Sequence, residues 1–333
     1  MSAGDFLCKD AATPLCEHYI AVGAVCSFST NSEPLLEAAR ESFLPVETAP
    51  ASVDFSVRFW VDTNDVAQPP WPKPYVRGLN HLVFAGFDSG SSMLVDLRTR
   101  RVIGRFSAAM AADRSYWKTV IFPILLTVVG ASVGIVELHG SCVAMKQNGL
   151  LLAGPGRSGK STLAVALAQA GFGFLSDDRT FCSLREGRLT AWGLATTLKL
   201  RCDAGTYFKE LEGEEPTNLH SGEPGFRLEP EQGLGLKRVR HCQPQLLVFL
   251  ERSEDPSFCL SRMSAEEAAI RLQEDLVAEL PEAAARQVDV LSKLAQLPCR
   301  LLQYGGNPQA VAEELAIHFE RLDGRREAEV NSL

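Results

Sequence analysis

The sequence predicts a two-part α/β protein, with a strand-rich α/β module over residues 1–112 and a phosphate-loop nucleotide-binding domain over 113–333. Three observations predict it. An apolar strand, Gly149 to Ala153, runs directly into Gly154-Pro155-Gly156-Arg157-Ser158-Gly159-Lys160-Ser161-Thr162 and then into a helical run that ends near Gly171. Val53, Phe55, Val57, Phe59 and Val61 alternate with polar or aromatic residues, the period of a strand with one buried face. A chain of 333 residues that is 46% hydrophobic, with mean hydropathy near zero, is globular and has room for two cores.

In the first module, the β-formers Tyr19 to Phe28 predict a strand, and Ser32 or Glu33 caps a helix through Ala39. Gln68 to Pro74 holds four prolines and reads as an extended connector. Asn80 to Phe87 and Ser92 to Phe106 read as further strands, with turns at Asp88-Ser89-Gly90 and Arg98-Thr99-Arg100. This module carries no chemistry that the sequence reveals.

Asp113 to Val129 is an apolar helix. Thr119 to Val136 is 18 residues without a charge, near the minimum for a membrane span. Pro123, Gly130 and Gly134 interrupt it and no basic cluster anchors its ends, so a buried helix followed by a strand is expected and no membrane span. Val133 to Met145 then forms a strand carrying Glu137, His139 and Ser141 on one face, and Asn148-Gly149 turns it into the loop strand.

The loop is a phosphate cradle. Gly154, Gly156 and Gly159 let successive backbone N–H groups point at phosphate oxygens. Lys160 supplies a cation, Ser161 a hydroxyl for Mg²⁺, and the helix N-terminus its positive end. Further on, the buried strand Phe172 to Ser176 ends in Asp177-Asp178-Arg179, where a carboxylate meets the needs of Mg²⁺ coordination. Neighbouring strand residues face opposite ways, so the two aspartates have different jobs.

Phe181 to Leu184 and Arg188 to Trp192 flank a turn at Glu186-Gly187, and Thr197 to Cys202 follows as a strand. Lys209 to Pro244 is an acidic, glycine-containing excursion, either a functional lid or a mobile surface loop. Gln245 to Glu251 returns as a buried strand, and Ser264-Ala265-Glu266-Glu267 is a capping box opening a helix to about Leu280. Ala283 to Leu297, the strand Arg300 to Tyr304 and a helix capped by Asn307-Pro308 complete the chain. Lys199, Arg201, Lys237, Arg238 and Arg240 are charge runs of the kind that usually face solvent.

Three elements in one order, Leu138-His139-Gly140, the Gly154 to Thr162 loop and Leu175-Ser176-Asp177-Asp178-Arg179, resemble HPr kinase/phosphorylase and its relatives. His139 precedes Lys160 by 21 positions and Asp177 follows it by 17, spacings similar to that family's. The resemblance implies a P-loop kinase domain of the HPr kinase / PEP carboxykinase-like type, and phosphoryl transfer from ATP with Mg²⁺. The acceptor is a hydroxyl on a protein or peptide serine or a small-molecule alcohol. By the family pattern, Asp177 is the general base, Asp178 and Ser161 hold the metal, Lys160 stabilises the transferring charge, and His139 orients Asp177. At Gln232, before Gly233-Leu234-Gly235, the family has arginine, which counts against phosphorylase activity. Association into a homo-oligomer is a further implication. The alternative is a nucleotide-gated binding or regulatory protein without transfer.

Net charge of −8 and a pI near 5.4 argue against a nucleic-acid partner, which needs a basic face. Nine scattered cysteines, with no Cys-x-x-Cys pair and no signal peptide before them, fit a reducing cytoplasm.

Overall fold

The computed structural model describes residues 12–62, 68–194, 196–219, 223–273 and 281–330. The chain forms two compact units, Met1–Val136 with Val277–Val288, and Glu137–Leu276 with Asp289–Leu333. Both mix helices and sheets, the expected α/β class.

The first unit is built on an eight-stranded sheet, order β3-β1-β2-β4-β8-β7-β6-β5. Its strands are β1 Leu15–Ala21, β2 Ala24–Thr30, β3 Leu44–Pro45, β4 Phe55–Asp62, β5 Tyr75–Leu79, β6 Leu82–Gly86, β7 Ser92–Asp96 and β8 Arg101–Ser107, with helix α1 Glu33–Ser42 between β2 and β3. The expected strand Tyr19 to Phe28 is a hairpin instead. Val22 and Gly23 turn it in left-handed conformations, φ 45° and 93°, inside a run of β-formers punctuated by one glycine. Strand β5 carries no alternation to betray it, because all five of its residues are exposed.

Helices α2 Ala108–Ala112, α3 Arg114–Tyr116 and α4 Phe122–Ser132 follow, the last two joined by a π-type turn over Trp117–Ile121. Arg114–Ser132 is long and apolar enough to cross a membrane, but 56% of its most apolar window is buried within the protein. Trp117 packs its ring against Phe59 and Phe106 at 5.6 and 4.7 Å, and Phe122 lies on Phe43 at 4.8 Å. These contacts tie the apolar helix to the first sheet, so the boundary falls after Val136 and not after residue 112.

The remaining elements, in chain order, are strands β9 Ile135–Leu138, β10 Gly140–Met145 and β11 Asn148–Ala153, helix α5 Lys160–Gln169, and strands β12 Gly173–Ser176, β13 Thr180–Arg185, β14 Arg188–Trp192 and β15 Leu198–Arg201. Then come β16 Thr217–Asn218, β17 Pro224–Leu228, helix α6 Pro230–Leu234, β18 His241–Arg252, β19 Phe258–Met263, helices α7 Ala265–Leu272 and α8 Pro281–Ala295, β20 Cys299–Tyr304 and helix α9 Pro308–Val330. The Ser264 hydroxyl caps α7 as expected, accepting from the Glu267 N–H at 3.1 Å. Residues 274–280, the expected end of that helix, lie outside the described residues.

In the second unit β11, β18 and β20 run parallel side by side, which brings their C-terminal ends to one edge. Leu150, Leu152, Leu163, Leu167, Val248, Leu302 and Leu315 fill the core between this sheet and α5 and α9. The β10/β11 hairpin turns at Lys146-Gln147, with Lys146 at φ 56°, not at Asn148-Gly149. Gly149 instead lies in the strand, paired with Ala144, where a side chain would meet the Cys242 sulfur at 2.4 Å. The acidic excursion contributes to sheet and core: β16 and β17 join β15, and Phe226, Leu234 and Leu236 enter the core.

Candidate functional site

The loop of residues 154–159 leaves the C-terminal end of β11, where ligands of open α/β sheets bind. Two of its glycines are required by contacts from other strands. At Gly154, φ 143°, a Cβ would lie 2.8 Å from the Leu250 carbonyl oxygen of β18. At Gly159, φ 88°, it would lie 2.1 Å from the Tyr304 hydroxyl, which rises from β20 and donates to the Ser158 carbonyl at 2.8 Å. Burial pushes the Tyr304 phenol up to about 12, keeping it a proton donor. Lys160 opens α5 and turns its ammonium back onto the Gly154 and Pro155 carbonyls at 2.8 and 3.0 Å. Among the described residues the Ser158 hydroxyl is buried without a hydrogen-bond partner.

The second half of the site is a register of three contacts. Glu137 meets Arg179 at 3.3 Å, His139 Nδ1 meets Asp178 Oδ1 at 3.3 Å, and the Ser141 hydroxyl donates to Asp177 Oδ1 at 2.8 Å. Alternate residues of one segment thus serve successive residues of the other. The segment is not one strand, however: His139 sits in a bend between β9 and β10, and Gly140 passes so close to Leu152 that a Cβ would meet its carbonyl oxygen at 2.6 Å.

The aspartates differ because the turn between β12 and β13 is strained. The Arg179 N–H closes a three-residue turn onto the Asp177 carbonyl at 2.7 Å, with Asp178 at its centre at φ 64°. Asp178 is half exposed and reaches His139, while Asp177 is buried at 8% exposure. His139 thus pairs with Asp178, where the sequence had set it to orient Asp177. Burial raises the Asp177 carboxyl above its ordinary value, against hydrogen bonds from the Ser161 and Ser141 hydroxyls and the Lys199 N–H that favour its charged form.

The sign of that shift makes a prediction. A carboxyl whose folded value is raised stabilises the fold most below the ordinary carboxylate range, and that stability is lost as pH rises through the raised value. In metal-free protein, Asp177→Asn should therefore gain in melting temperature relative to wild type as pH is raised from below about 4 to neutrality. A melting-temperature difference that stays flat across that range, measured by scanning fluorimetry with chelator, would contradict it.

Loop and turn share a cavity of about 500 Å³, lined by Gly156, Arg157, Gly159, Lys160, Ser161, Thr162, His139 and Asp178, and by Lys199, Leu200, Arg201, Asp203 and Arg252. Sequence reasoning named Lys199 and Arg201 without a role and missed Arg252 and Tyr304. Arg252 ends β18, its guanidinium 6.0 Å from the Tyr304 ring centre. Its position follows only from β18 lying parallel beside β11. Arg238, also named from sequence, is structural, donating to the Leu194 and Thr196 carbonyls at 2.8 and 3.1 Å.

The residues fit Mg²⁺ bound together with phosphate. Among the described residues no cluster of three or more His, Cys, Asp or Glu could hold a metal alone. Mg²⁺ in phosphate sites takes one or two protein oxygens and draws the rest from phosphate and water. The Ser161 hydroxyl and the buried Asp177 carboxylate, joined by a hydrogen bond, supply that pair.

No protein-family model matches the chain. No curated protein matches it. Among solved structures it is similar to the HPr(Ser) kinase/phosphatase from Coxiella burnetii, at 11% identity and a TM-score of 0.31, over 58% of this chain and 96% of that one. So distant a likeness leaves function to be argued from the site's own residues.

Proposed function

We propose that the protein is an ATP- and Mg²⁺-dependent kinase that transfers the γ-phosphoryl group to an alcohol hydroxyl. The observation that carries this is the strained turn that sets Asp178, paired with His139, at a cavity lined by the loop from Gly156 to Thr162. The loop amides and Lys160 hold the phosphates once the ammonium leaves the Gly154 and Pro155 carbonyls. Ser161 and Asp177 would hold Mg²⁺, which would supply charge neutralisation to the bound phosphates. The roles expected for the aspartates are thus exchanged. Asp178, open to the cavity, accepts the acceptor's hydroxyl proton, and His139 holds its carboxylate in place. Arg252, beside Gly159, adds positive charge where the transferring group sits. The motif resemblance to HPr kinase points to the same reaction, and the eight described cysteines, all free, agree with a reducing compartment such as the cytoplasm.

A second reading has one observation in its favour. Arg157 of the loop is ion-paired to Glu223 just before β17, so bound nucleotide would rearrange that segment whether or not transfer follows. Incubation with γ-labelled ATP, Mg²⁺ and a panel of hydroxyl acceptors separates the two. Label should reach an acceptor with wild type and not with Lys160→Ala. Saturable ATP binding with no transfer to any acceptor would favour the regulatory reading.

A further inference from the structure

Five basic side chains line the cavity, Arg157, Lys160, Lys199, Arg201 and Arg252, against two carboxylates, Asp178 and Asp203. A triphosphate carries about four negative charges, of which Mg²⁺ cancels two and Lys160 and Arg252 can meet the others. Lys199 and Arg201 line the same cavity and are left over. Leu198 and Leu200 anchor β15 in the core, and the run Lys199, Leu200, Arg201 lines the cavity, so that both basic residues reach it. Pairing with β17 through Lys199–Arg227 and Arg201–Gly225 fixes the strand that carries them. The Lys199 N–H also bonds to Asp177, which ties this strand to the catalytic turn.

The protein's own contacts show what these residues accept. One carboxylate, Glu223, pairs with Arg201 at 3.8 Å and with Arg157 of the loop, two of the cavity's basic residues. We propose that Lys199 and Arg201 form a second anion subsite, and that the acceptor is a small alcohol bearing a phosphate or carboxylate group. That anion takes the position against Arg201 held by Glu223 and aims the hydroxyl at Asp178. This rests on the kinase reading. In the step, the bond from the γ-phosphorus to the β-γ bridging oxygen breaks and a bond from phosphorus to the alcohol oxygen forms. The hydroxyl proton passes to Asp178, and ADP leaves with the bridging electron pair.

The full chain, saturated with a non-hydrolysable ATP analogue and Mg²⁺, is titrated calorimetrically with matched pairs, glycerol 3-phosphate against glycerol and glycerate against glycerol. At least one anionic member should bind ten-fold or more tighter than its neutral partner. Lys199→Ala and Arg201→Gln should each weaken that binding ten-fold or more, with a smaller than three-fold change in analogue affinity. Glu223→Gln, which removes the competing carboxylate, should tighten it. Equal binding of charged and neutral partners, losses that fall on the analogue instead, or binding of a serine peptide alone would overturn the subsite. Failure of the analogue to bind wild type would instead count against the kinase reading. The anions are then titrated into unloaded protein, where binding that depends on Lys199 and Arg201 supports the subsite and its absence overturns it.

Discussion

Asp178→Asn should lower phosphoryl transfer by about 10²- to 10⁴-fold, the range that a positioned general base contributes. Asparagine tolerates the left-handed conformation that residue 178 adopts at φ 64°, so the strained turn survives the change. It removes only the proton acceptor. The melting temperature and the KM for ATP should therefore stay close to wild type while kcat falls, a split that misfolding would not produce. Transfer rates from labelled ATP, with melting curves on the same samples, check this. If Asp178→Asn kept transfer within three-fold and Asp177→Asn abolished it, the roles would be those the chain order first suggested, with the base at 177.

Trp117→Ala should destabilise the first unit by about 3–5 kcal/mol, the usual loss for an aromatic residue emptied from a core. Trp117 is fully buried, touches the rings of Phe59, Phe106 and Phe122, and donates its indole N–H to the Met110 carbonyl at 2.8 Å. The truncation opens a cavity and removes the indole hydrogen bond, leaving the Met110 carbonyl only the Asp113 N–H at 3.1 Å. Chemical denaturation, followed through an aromatic signal of this unit, measures the loss. A change below about 1 kcal/mol would mean that the apolar helix is not held by its face on the first sheet, and would revive the membrane alternative for Arg114–Ser132.

Much of the candidate site was legible because its chemistry is local. The phosphate loop needs particular residues at fixed spacing within one turn, and Gly154, Gly159, Lys160 and Ser161 stand within one short stretch of sequence. The same holds for the alternation that placed Glu137, His139 and Ser141 on one face, since a period of two survives the bend at His139. Turns were less legible. A hairpin hidden in Tyr19 to Phe28 and the shift of the β10/β11 turn to Lys146-Gln147 depend on left-handed residues, Val22 and Lys146, that carry no turn signature.

By itself, the sequence determined that an apolar strand feeds a glycine loop and a helix, and that a pair of aspartates ends a second buried strand. Local backbone chemistry was enough for that. The tertiary structure alone decided which aspartate is buried on Ser161 and which meets His139, because a single left-handed residue turns Asp178 out of line with Asp177. It alone brought Arg252, Tyr304, Lys199 and Arg201 to the loop. These residues stand between 39 and 144 positions beyond Lys160, and only strand pairing across the sheets closes such distances.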